Sequence, residues 1–358
     1  MTFASTCRSV FLGLLCALVL PATGPVARLE SGPRRPATAA SSQEAEPPGR
    51  PVVPPPGLDL YLPAPPDNPV TAPKLALGRR LFFETRLSAD GRTSCASCHE
   101  PGRAFTDGRR VARGAFGREG RRNVPSILNR AYGTSFFWDG RAATLEEQVR
   151  QAISGSRDLG IPVAVAAERL SGDATYAAAF DAAFGARPSA DRLAQAIATF
   201  VRGTLSGDSA FDRFFAGGAG ALSPAARRGL DVFNGRARCG RCHAGPLFTD
   251  EELHNTGVGW GRDAGRYEVT RLPEDRGRFK TPSLREVSLT APYMHDGSIR
   301  TLDAVARFYD AGGGANPNLD PAIRPLRLTS GERADLVAFL HALEGEAPSE
   351  PVALVLEP

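Results

Sequence analysis

The chain has 358 residues and a formal net charge of +4, with acidic and basic residues interspersed along it. That charge pattern gives no indication of a nucleic-acid-binding surface. The strongest apolar run, near the N terminus, is too short to span a bilayer comfortably, so stable membrane insertion is not expected.

The N-terminal segment, residues 1–27, has the organisation of a secretory signal peptide. Arg8 precedes an apolar run at residues 10–20, and small residues follow that run. Such a segment is removed after export. We therefore predict a periplasmic protein, with a retained N-terminal anchor as the alternative interpretation.

Beyond the signal, composition divides the chain into four further segments. Residues 28–57 are rich in Pro, Ala, Ser, Gly and Glu and are predicted to form a disordered linker. The following stretch of about 290 residues suits two domains of ordinary size. We place these domains at residues 58–207 and 208–346, with a short tail at residues 347–358.

The motif Cys-x-x-Cys-His occurs twice in the chain, once in each predicted domain. This spacing is the signature of covalent c-type haem attachment, in which two thiols bind the haem and the adjacent His binds its iron. A single copy could be half of a zinc site, but no other Cys/His cluster completes a zinc shell. The expected haem-binding residues are Cys95, Cys98, His99, Cys239, Cys242 and His243.

The remaining two cysteines, Cys7 and Cys16, lie in the predicted signal peptide. Once that segment is removed, no thiol remains for a disulfide or another metal site. Haem attachment to this motif takes place outside the cytoplasm, so the motifs and the signal agree on export.

The regions around the two motifs resemble each other. One reads GRRLFFETRLS…CASCHEPGRAFTDG and the other RRGLDVFNGRARCGRCHAGPLFTDE. Each combines a short amphipathic helix, the motif, a Pro/Gly turn and Phe-Thr-Asp. This pattern indicates an internal duplication of a cytochrome-c-like unit.

Helical patterns dominate the rest of the chain, and alternating strand patterns are scarce. We therefore predict a mostly α fold of two cytochrome-c-like domains with long loops and little strand. We predict one helix that starts after Ser223. Four further helices are predicted at residues 144–153, 191–205, 301–309 and 330–343.

A sixth iron ligand decides whether a haem transfers electrons or also binds small molecules. Besides the motif histidines, the candidates are Met294, His295, His254 and His341. The residues alone nominate Met294 or His295 for one haem and leave the other open. His254 is predicted to hydrogen-bond a loop, and His341 to lie at the surface.

The arginine-rich stretch at residues 103–122 also permits two interpretations. We predict a solvated surface loop, with a docking face for an acidic partner as the alternative.

The chain after the linker resembles the bacterial dihaem cytochrome c peroxidases and their MauG-type relatives. The resemblance is carried by CASCHEPGRAFTDGR, RRNVPSILN, FFWDGRA, CGRCHAGPLFTD and KTPSLREVSLTAPYMHDGSIRTLDAVARFYDAGG, in this order. It implies a peroxidatic haem in the N-terminal domain and an electron-transfer haem in the C-terminal domain.

The resemblance also assigns roles to individual residues. His99 and His243 match the proximal ligands, and Trp138 matches the electron relay between the haems. Gln148 matches a distal-pocket Gln. The catalytic acid of the family is Glu, whereas this chain has Asp158, one methylene shorter, in a position to assist proton transfer.

The family also has a calcium site between its haems. Its ligands fall on the side chain of Asn123 and the backbone carbonyls of Thr290 and Pro292. Oxygen donors of this kind suit Ca²⁺.

Two ligand positions separate the subgroups of the family. Typical peroxidases carry a His that caps the N-terminal iron, and this chain has Ala115 there. Their C-terminal haem has a Met ligand, whereas this chain has Tyr309, as in MauG-type proteins. A phenolate favours high oxidation states of iron, in contrast to Met. Met294 and His295 would then pack near the haem edge, and the alternative for Tyr309 is an ordinary core aromatic.

We therefore expect a MauG-like enzyme that uses H₂O₂ at an open N-terminal haem and shares oxidising equivalents with a His/Tyr haem. Its reductant would be a side chain of a protein substrate. The MauG-type electron exit is a Trp at the position of Ala237 here, so the substrate or exit differs. The second candidate is a peroxidase that takes electrons from a small c-type cytochrome or cupredoxin. The third, a non-catalytic electron carrier, is disfavoured by Ala115.

Overall fold

The computed structural model describes residues 52–345. The predicted signal peptide, the tail at residues 347–358 and linker residues 28–51 lie outside these residues. The described chain is mostly helical with little strand, which confirms the predicted fold class. No helix within residues 52–345 has the length and apolar character needed to cross a membrane.

Within residues 52–345, ten α-helices and one two-stranded antiparallel ribbon are connected by long loops and short 3-10 turns. The helices are α1 Ala72–Phe82, α2 Leu145–Ser154, α3 Val163–Ser171, α4 Ala174–Phe184, α5 Ala190–Arg202, α6 Ala210–Phe215, α7 Pro224–Asn234, α8 Tyr267–Thr270, α9 Leu302–Asp310 and α10 Ser330–His341. The strands are β1 Leu253–His254 and β2 Phe279–Lys280, with Leu253 opposite Lys280.

The predicted helix starts are confirmed by their N-caps. The side chains of Thr144, Ser223 and Thr301 each accept a hydrogen bond from the backbone N–H three residues on. Such a cap satisfies a donor that the helix itself leaves free. These three residues therefore fix where α2, α7 and α9 begin.

The core of residues 52–345 consists of two large hydrophobic clusters, drawn from residues 77–201 and 233–343, and a small third one. The first is built around α1, α2 and α5, and the second around α7, α9 and α10. In each large cluster a helix just before the haem motif crosses a partner at a glycine. A Cβ at Gly78 would lie 2.0 Å from the carbonyl oxygen of Ala196, and one at Gly229 would lie 1.9 Å from that of Asp335. Only glycine permits these crossings.

The internal duplication extends well beyond the haem motifs. Residues 123–153 and 280–310 correspond without gaps at a spacing of 157 positions (280 − 123). Both contain a left-handed residue, Asn129 (φ 60°) and Glu286 (φ 59°), before a 3-10 turn. Both then form a tight loop closed by paired hydrogen bonds, Phe136 with Ala142 and Tyr293 with Ile299, before a Thr-capped helix.

The linker prediction is wrong for residues 52–57. The backbone oxygen of Pro56 accepts the N–H of Asp208 at 2.8 Å, and that of Gly57 accepts the guanidinium of Arg285 at 2.7 Å. Proline-rich composition suggested disorder, but these backbone carbonyls supply acceptors that the folded chain needs. The segment 203–207, which precedes Asp208 and ends at the predicted domain boundary, is buried.

Glu286 is an acid placed in the interior. Its side chain is fully buried, and Oε1 accepts hydrogen bonds from Ser206 Oγ (2.5 Å) and Gly345 N (2.9 Å). Oε2 has no partner among the described residues. Burial raises the pKa of Glu286 above its ordinary value, although the Ser206 hydrogen bond opposes the shift. The neutral acid is therefore the form that the fold prefers.

We predict that the Glu286→Gln variant loses less stability than the wild type as the pH rises from 4 to 8. The folded-state pKa is raised, so the stabilising contribution of the protonated acid is present below the unfolded pKa and is lost as pH rises through the folded value. The difference should reach about 1–2 kcal/mol at neutral pH in urea unfolding, the typical cost of an unsatisfied buried group. The exposed Glu168→Gln serves as the control, and parallel pH profiles for both variants and the wild type would contradict the assignment.

Candidate functional site

The motif histidines are oriented for iron binding by their own loops. His99 Nδ1 bonds the carbonyl oxygen of Phe105 at 3.0 Å, and His243 Nδ1 bonds that of Phe248 at 2.8 Å. A carbonyl only accepts, so Nδ1 carries the proton and Nε2 is the free donor atom. Burial lowers the pKa of both imidazoles, which keeps them neutral, as an iron ligand must be.

Both motifs open onto one large cavity of about 820 Å³ with mainly apolar walls. The six predicted haem-binding residues line it together. No disulfide forms among residues 52–345, so all four motif thiols are free to bind haem. The buried Nε2 of His295, also in the wall, lacks a hydrogen-bond partner among the described residues. The donor set, the cavity and this unpaired atom fit two covalently bound haems.

Gln148 and Ala152 on α2 and the following Asp158 line the same cavity as His99, and none of these three residues is a His, Met, Cys or Tyr. The side chain of Gln148 makes no hydrogen bond with the described residues. Ala115, at the position where typical peroxidases carry the capping His, is fully buried in a neighbouring loop. The structure thus brings the predicted distal residues together.

Two features fix the position of Asp158: a backbone hydrogen bond with Ala115 and the absence of a side chain at Gly155. Its carbonyl oxygen accepts the N–H of Ala115 at 2.8 Å. A Cβ at Gly155 would lie 2.4 Å from Asp158 Oδ2, so the carboxyl group is folded over this glycine. Burial raises the pKa of Asp158, with Arg141 opposing the shift. A raised pKa suits a group that must both accept and return a proton.

Asp90 anchors the loop that carries Ala115. Its carboxylate accepts the backbone N–H of Phe116 at 2.8 Å, which fixes Phe116 in a left-handed conformation (φ 59°). It also accepts the N–H groups of Arg92 and Thr93 and the hydroxyls of Ser88 and Thr93. These hydrogen bonds outweigh burial and hold the pKa of Asp90 well below its usual range.

Trp138 lines the cavity, and its contacts join the two repeats. Its indole N–H donates to the carbonyl oxygen of Asn123 at 2.9 Å, and its ring is 6.5 Å from that of His295, its counterpart in the second repeat. Two equivalent backbone bonds, each 2.7 Å, connect the repeats. One joins Asn123 N to His295 O and the other joins Lys280 N to Trp138 O.

Four candidates for a sixth ligand line the cavity, namely Tyr309, Met294, His295 and His254. Both ring nitrogens of His254 are already bonded to carboxylates, which leaves the other three. His295 stacks on Phe279 with ring centroids 3.5 Å apart. Tyr309 projects from α9, and burial raises its pKa to about 12 despite a hydrogen bond with Thr256. Its hydroxyl therefore stays protonated unless a metal displaces the proton.

The three predicted calcium ligands Asn123, Thr290 and Pro292 also line the cavity. Asn123 Nδ2 donates to the carbonyl oxygen of Arg109 at 2.8 Å, which points the amide nitrogen away and leaves the side-chain oxygen as a possible ligand. The arrangement fits an oxygen-liganded cation.

The remaining singled-out residues have structural roles. His254 bridges Asp250 (3.0 Å) and Asp320 (2.6 Å), so it does hydrogen-bond a loop. His341 is exposed at the end of α10. Ala237 is buried in the second core cluster. The arginine-rich stretch 103–122 forms a hairpin loop in which most arginine side chains are exposed.

Four residues of this site and its supporting loop carry no local signal in the sequence: Asp90, Ala152, Arg130 and Lys280. The last three lie in the second, gap-free part of the duplication. A self-comparison at the spacing of 157 positions would have paired Ala152 with Tyr309 and Asn123 with Lys280.

Known proteins similar to this chain are dihaem enzymes. Residues 72–220 match the family model of the di-haem cytochrome c peroxidases. The chain is 40% identical over 299 residues to the methylamine utilization protein MauG of Methylorubrum extorquens, covering 82% of this chain and 84% of that protein. It is 39% identical over 346 residues to the cytochrome-c peroxidase IdrP1 of Denitromonas iodatirespirans, covering 87% and 90%.

The fold is similar to solved structures of the same kind. The crystal structure of a MauG-like protein associated with microbial copper homeostasis superposes with a TM-score of 0.76 at 35% identity, covering 85% of this chain and 96% of that one. Relatives named MauG and relatives named peroxidase are about equally similar in sequence, so the choice between these activities depends on the site.

We predict that Asp90→Ala releases the loop at residues 114–118. Each hydrogen bond to the carboxylate is charge-assisted, and their joint loss should cost on the order of 2–4 kcal/mol of stability. Hydrogen–deuterium exchange should accelerate at Ala115 and Phe116 while the helices stay protected. Asp191→Ala is the control, because its 83% exposed side chain makes one surface ion pair; equal exchange in both variants would show that Asp90 does not anchor the loop.

Proposed function

The chain belongs to the di-haem cytochrome c peroxidase and MauG family, and from this premise we propose that it is a MauG-type enzyme. It is a dihaem oxidoreductase, and its peroxidase relatives imply H₂O₂ as a substrate. In our proposal, peroxide reacts at an open N-terminal haem, and the oxidising equivalents are shared with a C-terminal haem that His243 and Tyr309 ligate.

One observation carries the proposal: the two repeats differ at a matched position in the cavity wall, which we assign to the distal side of each iron. Ala152 on α2 and Tyr309 on α9 occupy the same position at the spacing of 157, and both line the cavity. A phenol oxygen can bind a metal, whereas a methyl group has no donor atom. The same frame would therefore supply a sixth ligand to one iron and none to the other.

The bound haem at His99 would supply a redox-active iron with a free coordination position for peroxide. Around that position, the side chain of Gln148 offers a hydrogen bond to hold the substrate. Asp158 would accept the proton of one peroxide oxygen and return it to the other, so that the O–O bond breaks with water as the leaving group and the two oxidising equivalents pass to the bound haems. Its partly buried carboxyl group and raised pKa support this role.

Trp138 serves as the relay between the two halves. The carbonyl oxygen of Asn123 holds its indole N–H, and the backbone bond from Lys280 fixes its main chain. A fixed aromatic ring between two redox centres shortens each electron step. The reductant is a protein substrate side chain, and electrons enter at a place other than Ala237, since that residue is buried and not aromatic.

Calcium binding and export complete the proposal. Ca²⁺ is held by the side chain of Asn123 and the carbonyls of Thr290 and Pro292, which line one cavity and belong to both repeats. Two covalently attached haems and the N-terminal segment 1–27 support a periplasmic location.

A second candidate, supported by the absence of an aromatic at Ala237, is a peroxidase that reduces H₂O₂ to water with electrons from a small c-type cytochrome or cupredoxin. A peroxidase with such a donor does not need an aromatic residue at this position to exchange electrons with a protein substrate. A non-catalytic electron carrier fits less well, because Ala152 and Ala115 provide no sixth ligand for the first iron.

We predict that the oxidised protein contains one high-spin and one low-spin haem, and that Tyr309→Phe changes only the low-spin component. Conversely, Ala152→Tyr should convert the high-spin haem to low spin, because it places the same donor in the same frame. Electron paramagnetic resonance measures both. Tyr293→Phe, a second cavity-lining tyrosine, is the control. An unchanged Tyr309→Phe spectrum, or a thioether-to-iron charge-transfer band, would instead assign the ligand to His295 or Met294.

We predict that Asp158→Asn slows the reaction of the oxidised protein with H₂O₂ by about 10²–10⁴-fold, the usual contribution of a general acid–base group. Stopped-flow spectroscopy without donor measures this step. Asp181→Asn, an exposed helix residue, is the control. Adding a reduced small c-type cytochrome then separates the candidates: slow oxidation of the cytochrome supports the MauG-type enzyme, and fast multiple turnover supports the peroxidase.

A further inference from the structure

A buried cluster of three charged side chains lies next to Trp138. The Glu251 carboxylate accepts hydrogen bonds from the two terminal guanidinium nitrogens of Arg130, at 2.7 and 2.8 Å. It also accepts hydrogen bonds from the ammonium of Lys280, at 3.1 and 3.3 Å. It also accepts the backbone N–H of Thr134 at 3.2 Å. The three charged side chains are only 9–12% exposed.

The cluster carries one more positive than negative charge. The Arg130 guanidinium donates hydrogen bonds to Glu251 and to the carbonyl oxygen of Ser135 (3.2 Å). Lys280 has three ammonium protons, but Glu251 is its sole partner among residues 52–345. Burial and the nearby guanidinium lower the pKa of Lys280 to about 8, so it is still mostly charged at neutral pH. A buried charge without a counter-ion is costly, and a second anion would relieve that cost.

The chain itself does not supply this anion. Arg130 and Lys280 both line the large cavity. Of the acids in its wall, Asp139 pairs with Arg122 and Arg141, and Glu268 pairs with Arg121. The third, Asp158, makes no contact with Lys280. The missing negative charge must therefore come from whatever fills the cavity.

The duplication gives independent support. Lys280 occupies the position of Asn123, and Ser135 that of Pro292, at the spacing of 157. At one place, Asn123 of the first repeat and Pro292 of the second are two of the candidate calcium ligands. At the equivalent place, Lys280 of the second repeat and Ser135 of the first occupy these positions, and the Lys280 ammonium and the Arg130 guanidinium, bound to the Ser135 carbonyl, provide the positive charge directly. The two repeats thus form two equivalent places, one with candidate ligands for a cation and one with cationic side chains of its own.

We propose that Arg130 and Lys280 form a carboxylate-binding site that takes a propionate group of a bound haem. The inference depends on haem binding, which the family establishes, and not on the MauG-type reaction. Since Lys280 N donates to Trp138 O at 2.7 Å, a propionate here would fix a porphyrin edge beside the relay residue. A free oxyanion such as phosphate has the same chemistry and is distinguished by the experiment.

The test compares haem reduction potentials in Lys280→Met and wild-type holoprotein by spectroelectrochemistry. Removing the ammonium leaves a propionate uncompensated, so the midpoint potential of one haem should fall. It should also acquire a new dependence on pH, because the uncompensated carboxylate takes up a proton on reduction. Lys280→Arg keeps the charge and should restore wild-type behaviour.

Lys74→Met is the matched control. Lys74 is the other lysine of the chain and is equally buried, but it bonds Asn68 and Pro69 and does not line the cavity. Neither potential should change in this variant. All measurements are repeated with and without added phosphate. An effect that appears only with phosphate would assign the site to a free anion and overturn the propionate proposal.

Unchanged potentials in a folded, fully loaded Lys280→Met protein would also overturn the proposal. If that variant does not fold, a crystal structure of the wild-type holoprotein decides. It should place a propionate oxygen within hydrogen-bond distance of Lys280 Nζ, and propionates bound elsewhere would reject the site. Peroxide reactivity is not a readout here, so failure of this proposal is distinct from failure of the proposed function.

Discussion

Two short backbone hydrogen bonds that cross between the repeats determine the geometry of the whole centre. Asn123 donates to His295 and Lys280 donates to Trp138, each at 2.7 Å. Because buried backbone donors must be satisfied, this pairing is a strong constraint that does not depend on side-chain identity. It brings the Trp138 and His295 rings together and places both haem motifs on one cavity. The orientation of His99 and His243 by their own loops adds the second fixed element.

Within this repeated frame, function depends on a few unequal pairs of residues. Ala152 of the first repeat corresponds to Tyr309 of the second, and Asn123 corresponds to Lys280. In our proposals, one difference changes the number of donor atoms available to an iron, and the other replaces a candidate oxygen ligand with a fixed charge. The backbone conformations of the two repeats match at several positions, with φ of 60° at Asn129 and 59° at Glu286, and 63° at Gly140 and 61° at Gly297. The fold therefore supplies positions, and the side chains at those positions supply chemistry.

Buried charge is handled differently at three places, and the difference separates structure from function. Arg285 and Asp212, each about 2% exposed, form an ion pair with balanced charge. Arg285 also donates to the carbonyl oxygen of Gly57 in the segment 52–57. Glu286 is an acid kept neutral by burial. The Lys280 cluster is the exception, since its positive charge exceeds the acids that contact it. Arg285 also lines the cavity, but Asp212 balances its charge, whereas the Lys280 cluster in the cavity wall has an excess positive charge and therefore indicates a ligand.

The sequence by itself determined the local features: the haem motifs, the helix starts at Thr144, Ser223 and Thr301, and the mostly helical fold. These depend on spacing and capping over a few residues. It also nominated Trp138, Gln148, Asp158 and Tyr309 through the family resemblance, and the structure places them in one cavity. Tertiary structure alone decided that residues 52–57 are ordered, that Asp90 anchors the loop of Ala115, and that Lys280 lacks a full set of partners. Those properties depend on groups 26 to 228 positions apart in the chain that meet only after folding, so no local pattern encodes them.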